Sequence, residues 1–519
     1  MSARHFQVAV VGSGFAGSLA AMAARRLGFS VGLIERGRHP RFAIGESTTP
    51  LTNLLVEEIA DEFDLPFLRP LSKWGTWQQR FPDLACGIKR GFTFFHHELG
   101  RPFPAEPGES LRRQLMVGAS PNENVADTHW YRPELDRRLV QFAQELGAEY
   151  VDETRLLSLA EEPDRIRLTG RRGGKAVAFT ADFLIDASGP RGFLHQALGL
   201  AEREVPGFPA TQALFAHFRG VAPLPGEFAP EAPPFGQEDA AVHHLFDGGW
   251  IWVLRFNNGV ASAGAVVAEP FASGLDLRRG AAAWQELLGR LPSLAQVFAP
   301  ARAVTPFVHQ PRVPFQSPQV AGRRWAMLPS AAGVVDPLLS TGFPLTLLGV
   351  QRVARLLRRI GTAEFAGGLE DYTRATTREF EATSRFVGAL YARLNRFEEF
   401  KRLSLVYFAA ASYAEVCRRL GRSSAVPDFL LCRDPAFGPQ LAQLSRLAPG
   451  DPSLDQRVKA AIEPLDILGL TDPERDPWYP SRVEDLYRNA AKLHASEGDI
   501  AAMLGRCGLE PAGGISPRI

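Results

Sequence analysis

The 519-residue sequence predicts an α/β fold with a Rossmann-type dinucleotide-binding domain, a second, antiparallel sheet and a helical C-terminal region. The first observation is a βαβ pattern over residues 6–35, where a β-branched run precedes a glycine turn, an alanine-rich helix and another apolar run. The second is a group of strand-like runs between residues 213 and 267. The third is amphipathic helical patterning from about residue 343 to 421.

The composition describes an ordinary folded protein and argues against several function classes. Hydrophobic residues make up 45% of the chain and charged residues 22%, and the net charge is +1, which predicts no nucleic acid partner. No charged leader and no apolar segment of roughly 20 residues is present, so we expect no membrane contact. The four cysteines lie far apart, which favours a reducing cytoplasm over a disulfide framework.

A glycine-rich turn after the first strand predicts a dinucleotide site. The run GSGFAG places Gly12, Gly14 and Gly17 between the strand FQVAVV and a helix. Gly12 permits the tight turn, Gly14 lets a pyrophosphate approach the backbone, and Gly17 allows close packing of helix against strand. Ala16 lies in the same turn, and Glu35 ends the second strand, where a carboxylate accepts hydrogen bonds from a ribose. The alternative is a glycine turn without a ligand.

Three later stretches resemble large flavoproteins and favour FAD over NAD. Arg132 in HWYRPELDRRL resembles the arginine that these proteins place near the dinucleotide. FLIDASGPRG resembles their second strand–turn motif, with Asp186 and Gly189 close to the cofactor. SAAGVVDPLLSTGFPLTLLGV, which contains Asp336 and Phe343, resembles the loop and helix beneath the flavin ring. The chain has no second glycine fingerprint for NADPH, although some aromatic hydroxylases bind NADPH without one.

Four stretches in the first 350 residues resemble the flavin-dependent halogenases, and two of them carry predicted catalytic residues. IGESTTP is similar to the loop that these enzymes place beside the flavin, which implies a catalytic role for Glu46 and a cofactor contact for Ser47. GIKRGFTFF is similar to the segment that holds their essential lysine, and the match falls on Lys89.

The other two stretches concern an aromatic motif and a halide site. GWIWVLRF resembles the Trp-x-Trp-x-Ile-Pro motif of the family at Trp250 and Trp252. DPLLSTGF resembles the loop whose Thr-Gly backbone binds halide, here Thr341 and Gly342. Backbone N–H groups at a helix N-terminus form an anion site without a cationic side chain.

The resemblance implies a reaction that explains why residue 89 is a lysine. In the family, FADH2 supplied by a separate flavin reductase reacts with oxygen to give a hydroperoxide, which oxidises chloride or bromide to hypohalous acid. A lysine amine captures or hydrogen-bonds this species, and arginine cannot replace it. Only six of the 58 basic residues are lysines, and an apolar wall around Lys89 would lower its pKa. The alternative is a lysine whose stem covers an aromatic surface.

The sequence departs from the halogenase pattern at three places. Leu254–Arg255 replaces Ile-Pro, Pro329–Ser330 replaces the Gly-Asp before the halide loop, and Leu339 stands where tryptophan halogenases carry a glutamate. That glutamate stabilises positive charge on the attacked indole, which leucine cannot do. We therefore expect a small aromatic substrate that activates its own ring, a phenol or a pyrrole, either free or carrier-bound, rather than free tryptophan.

Aromatic side chains are available to surround such a ring. The predicted substrate or tunnel residues are Phe92, Phe94, Trp250, Trp252 and Leu339. The two tryptophans point to one face of a strand and either line a tunnel or fill a core. The neighbouring pairs His96–His97 and His243–His244 are expected to point to opposite faces of their strands, so we predict no metal site.

These motifs divide the chain into four predicted parts. Residues 1–200 form an FAD-binding domain with an inserted small meander at 151–180, and residues 201–322 form an antiparallel substrate-sheet region. Residues 323–360 return to the FAD domain with the halide loop, and residues 361–519 form a helical C-terminal region.

The predicted function is FADH2-dependent halogenation of an electron-rich aromatic compound. Two alternatives stay open. One is an FAD-dependent aromatic hydroxylase, which would transfer oxygen directly to its substrate. The other is a flavin-binding protein whose halogenation site has decayed.

Overall fold

The computed structural model describes residues 4–205, 207–224 and 233–509 of the chain. Two large sheets and a set of long helices share one extended hydrophobic core. Part of the proline- and glycine-rich stretch 205–240 lies outside the described residues.

The strands, in chain order, are β1 (Arg4–Val11), β2 (Val31–Ile34), β3 (Cys86–Lys89), β4 (Gly91–His96), β5 (Gln114–Gly118), β6 (Asp127–Trp130), β7 (Glu149–Val151), β8 (Thr154–Glu161), β9 (Ile166–Arg172), β10 (Lys175–Asp186), β11 (Thr211–Arg219), β12 (Ala241–Phe246), β13 (Gly249–Arg255), β14 (Ala261–Ala268), β15 (Arg302–Ala303), β16 (Val308–Gln310), β17 (Phe315–Gln316), β18 (Ala321–Gly322), β19 (Trp325–Met327), β20 (Gly333–Val334) and β21 (Trp478–Tyr479).

The α-helices, in chain order, are α1 (Phe15–Arg26), α2 (Pro50–Glu62), α3 (Trp74–Arg80), α4 (Pro107–Arg112), α5 (Arg132–Glu145), α6 (Phe193–Ala197), α7 (Ala281–Gly289), α8 (Pro292–Phe298), α9 (Pro329–Ala332), α10 (Gly342–Leu357), α11 (Glu364–Tyr391), α12 (Phe397–Arg419), α13 (Phe437–Leu444), α14 (Leu454–Ile462), α15 (Val483–Arg488) and α16 (Glu497–Arg506).

The first sheet has a parallel centre in the order β7-β2-β1-β10-β19. Its central strands are continuous apolar runs, as expected for strands that are buried on both faces. The predicted βαβ unit is confirmed as β1, α1 and β2, and the predicted meander as β8, β9 and the start of β10. One feature differs from the prediction: the last meander strand and the apolar run DFLIDASG belong to the single strand β10.

The second sheet has the order β15-β11-β14-β13-β12-β4-β5-β21. The three strands predicted from the sequence are confirmed as β11, β13 and β14, which pair antiparallel. The sheet is nevertheless mixed, because β12 pairs parallel with β4, and β21 pairs parallel with β5. Strands β4 and β5 come from residues 91–118, so the sheet also includes residues from the N-terminal part of the chain.

The helical patterning predicted over residues 343–421 is confirmed as α10, α11 and α12. Helix α10 packs against α1 and α2, which fixes its N-terminus close to the glycine-rich turn. Helix α12 also packs against α2. Among the described residues, no helix combines the length and the apolar character that crossing a membrane requires.

Candidate active site

Two cavities adjoin one short segment of the chain. The first, which we call the cleft, has a volume of about 430 Å³ and extends from the glycine-rich turn to the start of α10. The second cavity has a volume of about 150 Å³ and lies among residues of α2, β4, β6 and α12. Ser47 lines the cleft, whereas Thr49 and Pro50 line the second cavity, so only a few residues of backbone separate the two.

The glycine-rich turn has the backbone geometry that a dinucleotide requires. Gly12 has φ +96°, and a Cβ there would lie 2.5 Å from the carbonyl oxygen of Ala187. A Cβ on Gly17 would lie 1.9 Å from the carbonyl oxygen of Gly12, so only glycine lets α1 approach this closely. Gly14 lines the cleft, and the atom nearest to its Cβ would be Arg132 Nη2 at 3.3 Å. These residues fit the phosphates of FAD at the N-terminus of α1.

Glu35 and Arg132 lie on either side of this turn. Glu35 Oε2 accepts hydrogen bonds from Ser13 N and Ser13 Oγ, both at 2.9 Å, and Arg41 lies 3.5 Å away. Burial acts to raise the pKa of Glu35, but Arg41 and the hydrogen bonds outweigh burial and hold that pKa below its usual value. Arg132 lines the cleft and is held there by two hydrogen bonds of 2.8 Å to Asp136.

The turn after β10 contributes backbone rather than a carboxylate to the cleft. Gly189, with φ +85°, lines the cleft, as does Ala16. Asp186 is buried, and its carboxylate accepts hydrogen bonds from Ser188 N at 2.8 Å and Leu194 N at 2.7 Å. Asp186 is therefore placed to shape the turn that presents Gly189, and it does not line the cleft as we expected of a cofactor contact.

The start of α10 forms the other end of the cleft. The predicted residues that line the cleft here are Asp336, Thr341, Gly342 and Phe343. Thr341 directly precedes the first helical residue, and its side chain does not cap the helix. Leu339 and Ser340, just before it, have φ +63° and +56°, a left-handed conformation that such residues rarely adopt. The loop thus turns sharply and places the N-terminus of α10 at the cleft, where an anion would be stabilised.

A hydrogen-bonded chain connects this loop to the tryptophan motif. Trp250 Nε1 donates to the hydroxyl of Tyr391 at 2.8 Å, and that hydroxyl donates to Asp336 Oδ2 at 2.8 Å. Leu338 N donates to Asp336 Oδ1 at 2.9 Å. Burial raises the pKa of Asp336 to about 7, although these hydrogen bonds oppose the change.

This raised pKa predicts a pH-dependent stability. Because the pKa of Asp336 is raised, the folded protein binds this proton more tightly than the unfolded protein does. The stability of the fold therefore falls as the pH rises from 3.8, the ordinary pKa of an aspartate, to about 7. In FAD-free protein, Asp336→Asn should remove this part of the pH dependence of the thermal unfolding midpoint. Calorimetry of both proteins across that range measures it, and parallel curves for the two proteins would contradict it.

Lys89 lines neither cavity itself but lies between residues that line one or the other. Its side chain is fully buried, and its Nζ donates to Ser47 Oγ at 2.9 Å and to the carbonyl oxygen of Thr48 at 2.6 Å. The same nitrogen lies 3.7 Å from the centre of the Phe92 ring. Because Ser47 lines the cleft and Phe92 lines the second cavity, the amine contacts residues that face both.

An acidic residue, Asp127, faces Lys89 across the strand pair β3–β6. Lys89 and Asp127 stand directly opposite each other in this antiparallel pair, so their side chains share one face. Burial lowers the pKa of Lys89, and the charge of Asp127 acts against that change. Burial raises the pKa of Asp127, and Lys89 acts against that in turn. The pair therefore favours a neutral amine more than an exposed lysine would, and a neutral amine is the nucleophilic form.

Glu46 lines the cleft, and its carboxylate is hydrogen-bonded to a histidine. Glu46 Oε1 lies 2.8 Å from His217 Nε2, and both side chains are buried. The carboxylate is therefore fixed in position by β11 and faces the cleft next to Ser47.

A row of aromatic rings crosses the second sheet from one cavity to the other. Phe94 stacks on His243 with ring centres 4.6 Å apart, and His243 stacks on Trp250 at 5.3 Å. Trp250 and Trp252 line the cleft, as does His243, whereas Phe92 lines the second cavity. Phe94 lines neither, so it is placed to support the row and not to contact a ligand, unlike our expectation from its sequence.

Leu339 is also placed differently from the expectation. Its side chain is buried and lines neither cavity. Its carbonyl oxygen accepts a hydrogen bond of 2.9 Å from the hydroxyl of Tyr407, a residue that lines the second cavity. The loop that carries Leu339 therefore contacts the wall of the second cavity through its backbone.

Of the remaining residues that depart from the halogenase pattern, three line the cleft and one does not. Leu254 and Pro329–Ser330 line the cleft. Arg255 instead donates hydrogen bonds to the carbonyl oxygens of Val221 and Ala222, at 2.7 and 2.9 Å, and does not line the cleft.

The histidine pairs divide between the two faces of the second sheet, as predicted. His244 forms a hydrogen bond of 3.0 Å with His97, on the face opposite to His243. Across the described ranges, no group of three or more histidine, cysteine or acidic side chains is arranged to hold a metal ion.

Asp127, Tyr391 and Tyr407 are site residues that the sequence did not indicate. Asp127 is the first residue of the short strand DTHW, so a cross-strand alignment with CGIK could have found it. The two tyrosines come from α11 and α12, and no local pattern connects those helices with the halide loop.

Two sequence profiles of known families match segments of the chain that line the cleft. A sequence profile of the tryptophan halogenase family matches residues 128–400, more than half of the chain. A profile of the NAD(P)-binding Rossmann-like domain matches residues 10–55, which include the glycine-rich turn.

Individual relatives point in the same direction. Monodechloroaminopyrrolnitrin halogenase PrnC of Pseudomonas fluorescens is 29% identical over 403 residues, which cover 76% of this chain and 69% of PrnC. The tetracycline 7-halogenase of Kitasatospora aureofaciens is 28% identical over 377 residues, which cover 70% of this chain and 65% of that enzyme. The alignments thus span about two thirds of these relatives. The crystal structure of halogenase PltM with phloroglucinol and FAD has the same fold, with a TM-score of 0.73, 20% identity, and coverage of 97% of this chain and 96% of PltM.

Proposed function

The chain belongs to the tryptophan halogenase family of flavin-dependent halogenases, and we propose that it halogenates an electron-rich aromatic compound, a phenol-like or pyrrole-like substrate. The observation that carries this proposal is the position of Lys89 between the cleft and the second cavity. The cleft has the glycine turn and helix ends that suit FAD and halide, and the second cavity is lined by aromatic side chains.

FAD would be held by the turn of Gly12, Gly14 and Gly17, with Glu35 and Arg132 beside it. Bound as FADH2, the cofactor supplies hypohalous acid from oxygen and a halide ion. The N–H groups near Thr341 and Gly342 would hold that chloride or bromide, because a helix N-terminus stabilises an anion.

Lys89 then has a defined task. Its amine captures the halogen, or donates a hydrogen bond that makes it electrophilic, at a point from which the second cavity can be reached. The buried position protects this reactive species from water, and the lowered pKa of Lys89 increases the neutral amine. Ser47 and Thr48 hold the nitrogen in place by accepting hydrogen bonds from it.

Partners and location belong to the same proposal. A separate flavin reductase would deliver FADH2, since the sequence has one dinucleotide fingerprint and none for NADPH. The substrate is either free or carrier-bound. A cytoplasmic location is supported by the free cysteines at 86, 417, 432 and 507.

A substrate panel tests the proposed substrate class. The protein is incubated with a flavin reductase, NADH, FAD, oxygen and bromide, together with phenols, pyrroles or free tryptophan, and products are identified by mass spectrometry. Phenols and pyrroles should be halogenated, with phenols favoured, and free tryptophan should be a poor substrate, because leucine stands at position 339, where tryptophan halogenases carry a glutamate. Efficient halogenation of tryptophan with phenols and pyrroles untouched would overturn this assignment.

A further inference from the structure

Asp127 lies in the wall of the second cavity with one carboxylate oxygen unpaired. Its Oδ1 accepts a hydrogen bond of 2.6 Å from Asn53 Nδ2. Its Oδ2 is buried and has no hydrogen-bond partner among the residues that the structure describes. A buried carboxylate oxygen without a partner is costly, so we expect an occupant of the cavity to donate a hydrogen bond to it.

The charged and polar groups that face Asp127 come from three elements. Lys89 lies opposite on β3, Asn53 lies on α2, and Glu415 and Arg419 lie on α12. Burial raises the pKa of Asp127, while Lys89, Asn53 and Arg419 lower it and Glu415 raises it further. The net result is a carboxylate that is more basic than an exposed aspartate.

The rest of the cavity suits an aromatic ring. Phe92, Tyr407 and Phe408 line it, and the centre of the Phe92 ring lies 6.4 Å from that of Tyr407 and 5.2 Å from that of Phe408. Lys89 Nζ lies above the Phe92 ring, and Asp127 stands opposite Lys89 on the neighbouring strand. A ring in this cavity would therefore lie beside the Asp127 carboxylate and beside the Phe92 ring, which the Lys89 amine contacts.

We propose that Asp127 accepts the proton of a phenolic hydroxyl group while the ring is halogenated, a role that rests on the function proposed above. This selects phenols over pyrroles, because a phenolic O–H is far more acidic than a pyrrole N–H. It also fits the leucine at position 339, since a ring that loses its O–H proton does not build up the positive charge that a glutamate would stabilise.

The proposed step conserves atoms and electrons. The phenolic proton moves to Asp127 Oδ2, and a ring carbon ortho or para to the oxygen uses a ring electron pair to bond the halogen. The neutral Lys89 amine has first taken the halogen from hypohalous acid, whose oxygen leaves as water, and the nitrogen–halogen bond then breaks with its electron pair on the Lys89 nitrogen. The ring carbon then loses its hydrogen as a proton to the Lys89 nitrogen, and Asp127 returns its proton to the phenol oxygen.

The test compares wild-type protein with Asp127→Asn on a graded set of substrates. Fluorinated phenols lower the O–H pKa stepwise, and the methyl ether of the parent phenol has no proton to lose. With FADH2, oxygen and bromide, Asp127→Asn should lose on the order of 10²-fold in the rate of parent phenol bromination. The loss should shrink as the O–H pKa falls below the assay pH, and the two proteins should brominate the methyl ether equally slowly.

Each outcome has a defined meaning. An equal loss on every substrate, including the methyl ether, would show that Asp127 only supports Lys89 or the fold. Equal bromination rates in both proteins would show that Asp127 takes no part in the reaction. If wild-type protein brominates none of the compounds, the proposed function fails and not this inference alone. Flavin fluorescence titration of both proteins checks that the variant still binds FAD.

Discussion

Lys89→Ala and Lys89→Arg should each lose at least about 10²-fold of the halogenated product, the scale on which a positioned proton-transferring or nucleophilic side chain acts. The amine contacts Ser47 of the cleft wall and the ring of Phe92 in the second cavity, so its removal breaks the connection between them. Arginine cannot restore it, because its guanidinium stays protonated and is not a nucleophile.

The same variants should still bind FAD and consume FADH2 and oxygen, since the cleft is lined by other residues. Product is measured by mass spectrometry and oxygen uptake by an electrode in parallel samples. Lys175→Ala provides the matched control, because Lys175 is exposed at the start of β10. Full activity of Lys89→Arg would show that Lys89 supplies only a positive charge and has no chemical role in the reaction.

Gly14→Val should abolish FAD binding and leave the fold intact. A Cβ on Gly14 would meet the ends of three side chains, Arg132 Nη2 at 3.3 Å, Arg41 Nη2 at 3.7 Å and Asp136 Oδ2 at 3.8 Å, and no backbone atom among these nearest contacts, so we expect the fold to accommodate a side chain there. That side chain would occupy the part of the cleft where the pyrophosphate must approach the N–H groups of α1.

Gly17→Val is the matched comparison, because its Cβ would lie 1.9 Å from the carbonyl oxygen of Gly12. We expect that variant to lower the thermal unfolding midpoint as well as FAD affinity, whereas Gly14→Val should change affinity alone. Fluorescence titration with FAD and thermal unfolding measure the two effects. Normal FAD binding by Gly14→Val would show that the dinucleotide lies elsewhere.

The parts of the fold that were predicted from sequence are those with a local signal. The βαβ unit has a β-branched run, three spaced glycines and an acidic strand end, and each of these is determined by residues close in the chain. The helices after residue 342 have a clear apolar period. The antiparallel strands β13 and β14 are neighbours in sequence and in space.

The features of the fold and the site that were not predicted from the sequence depend on pairing between distant segments. Strand β4 joins the second sheet by parallel pairing with β12, across about 150 residues, so the sequence alone could not show that Phe92 lines a cavity and Phe94 does not. Asp127 becomes a site residue only because β6 aligns it with Lys89. Asp186 has the sequence context of a cofactor contact, yet its carboxylate is engaged by its own turn.

Halide dependence of the product is the most direct test of whether Lys89 passes an oxidised halogen to an aromatic ring. Wild-type protein with one phenol, FADH2 and oxygen is assayed in chloride, in bromide and in halide-free buffer, and the product mass is determined. We expect a chlorinated phenol in chloride, a brominated phenol in bromide, and unchanged phenol without halide. A hydroxylated phenol in all three buffers would identify an aromatic hydroxylase, and FADH2 oxidation without any product would identify a decayed site; either result would contradict halogenation.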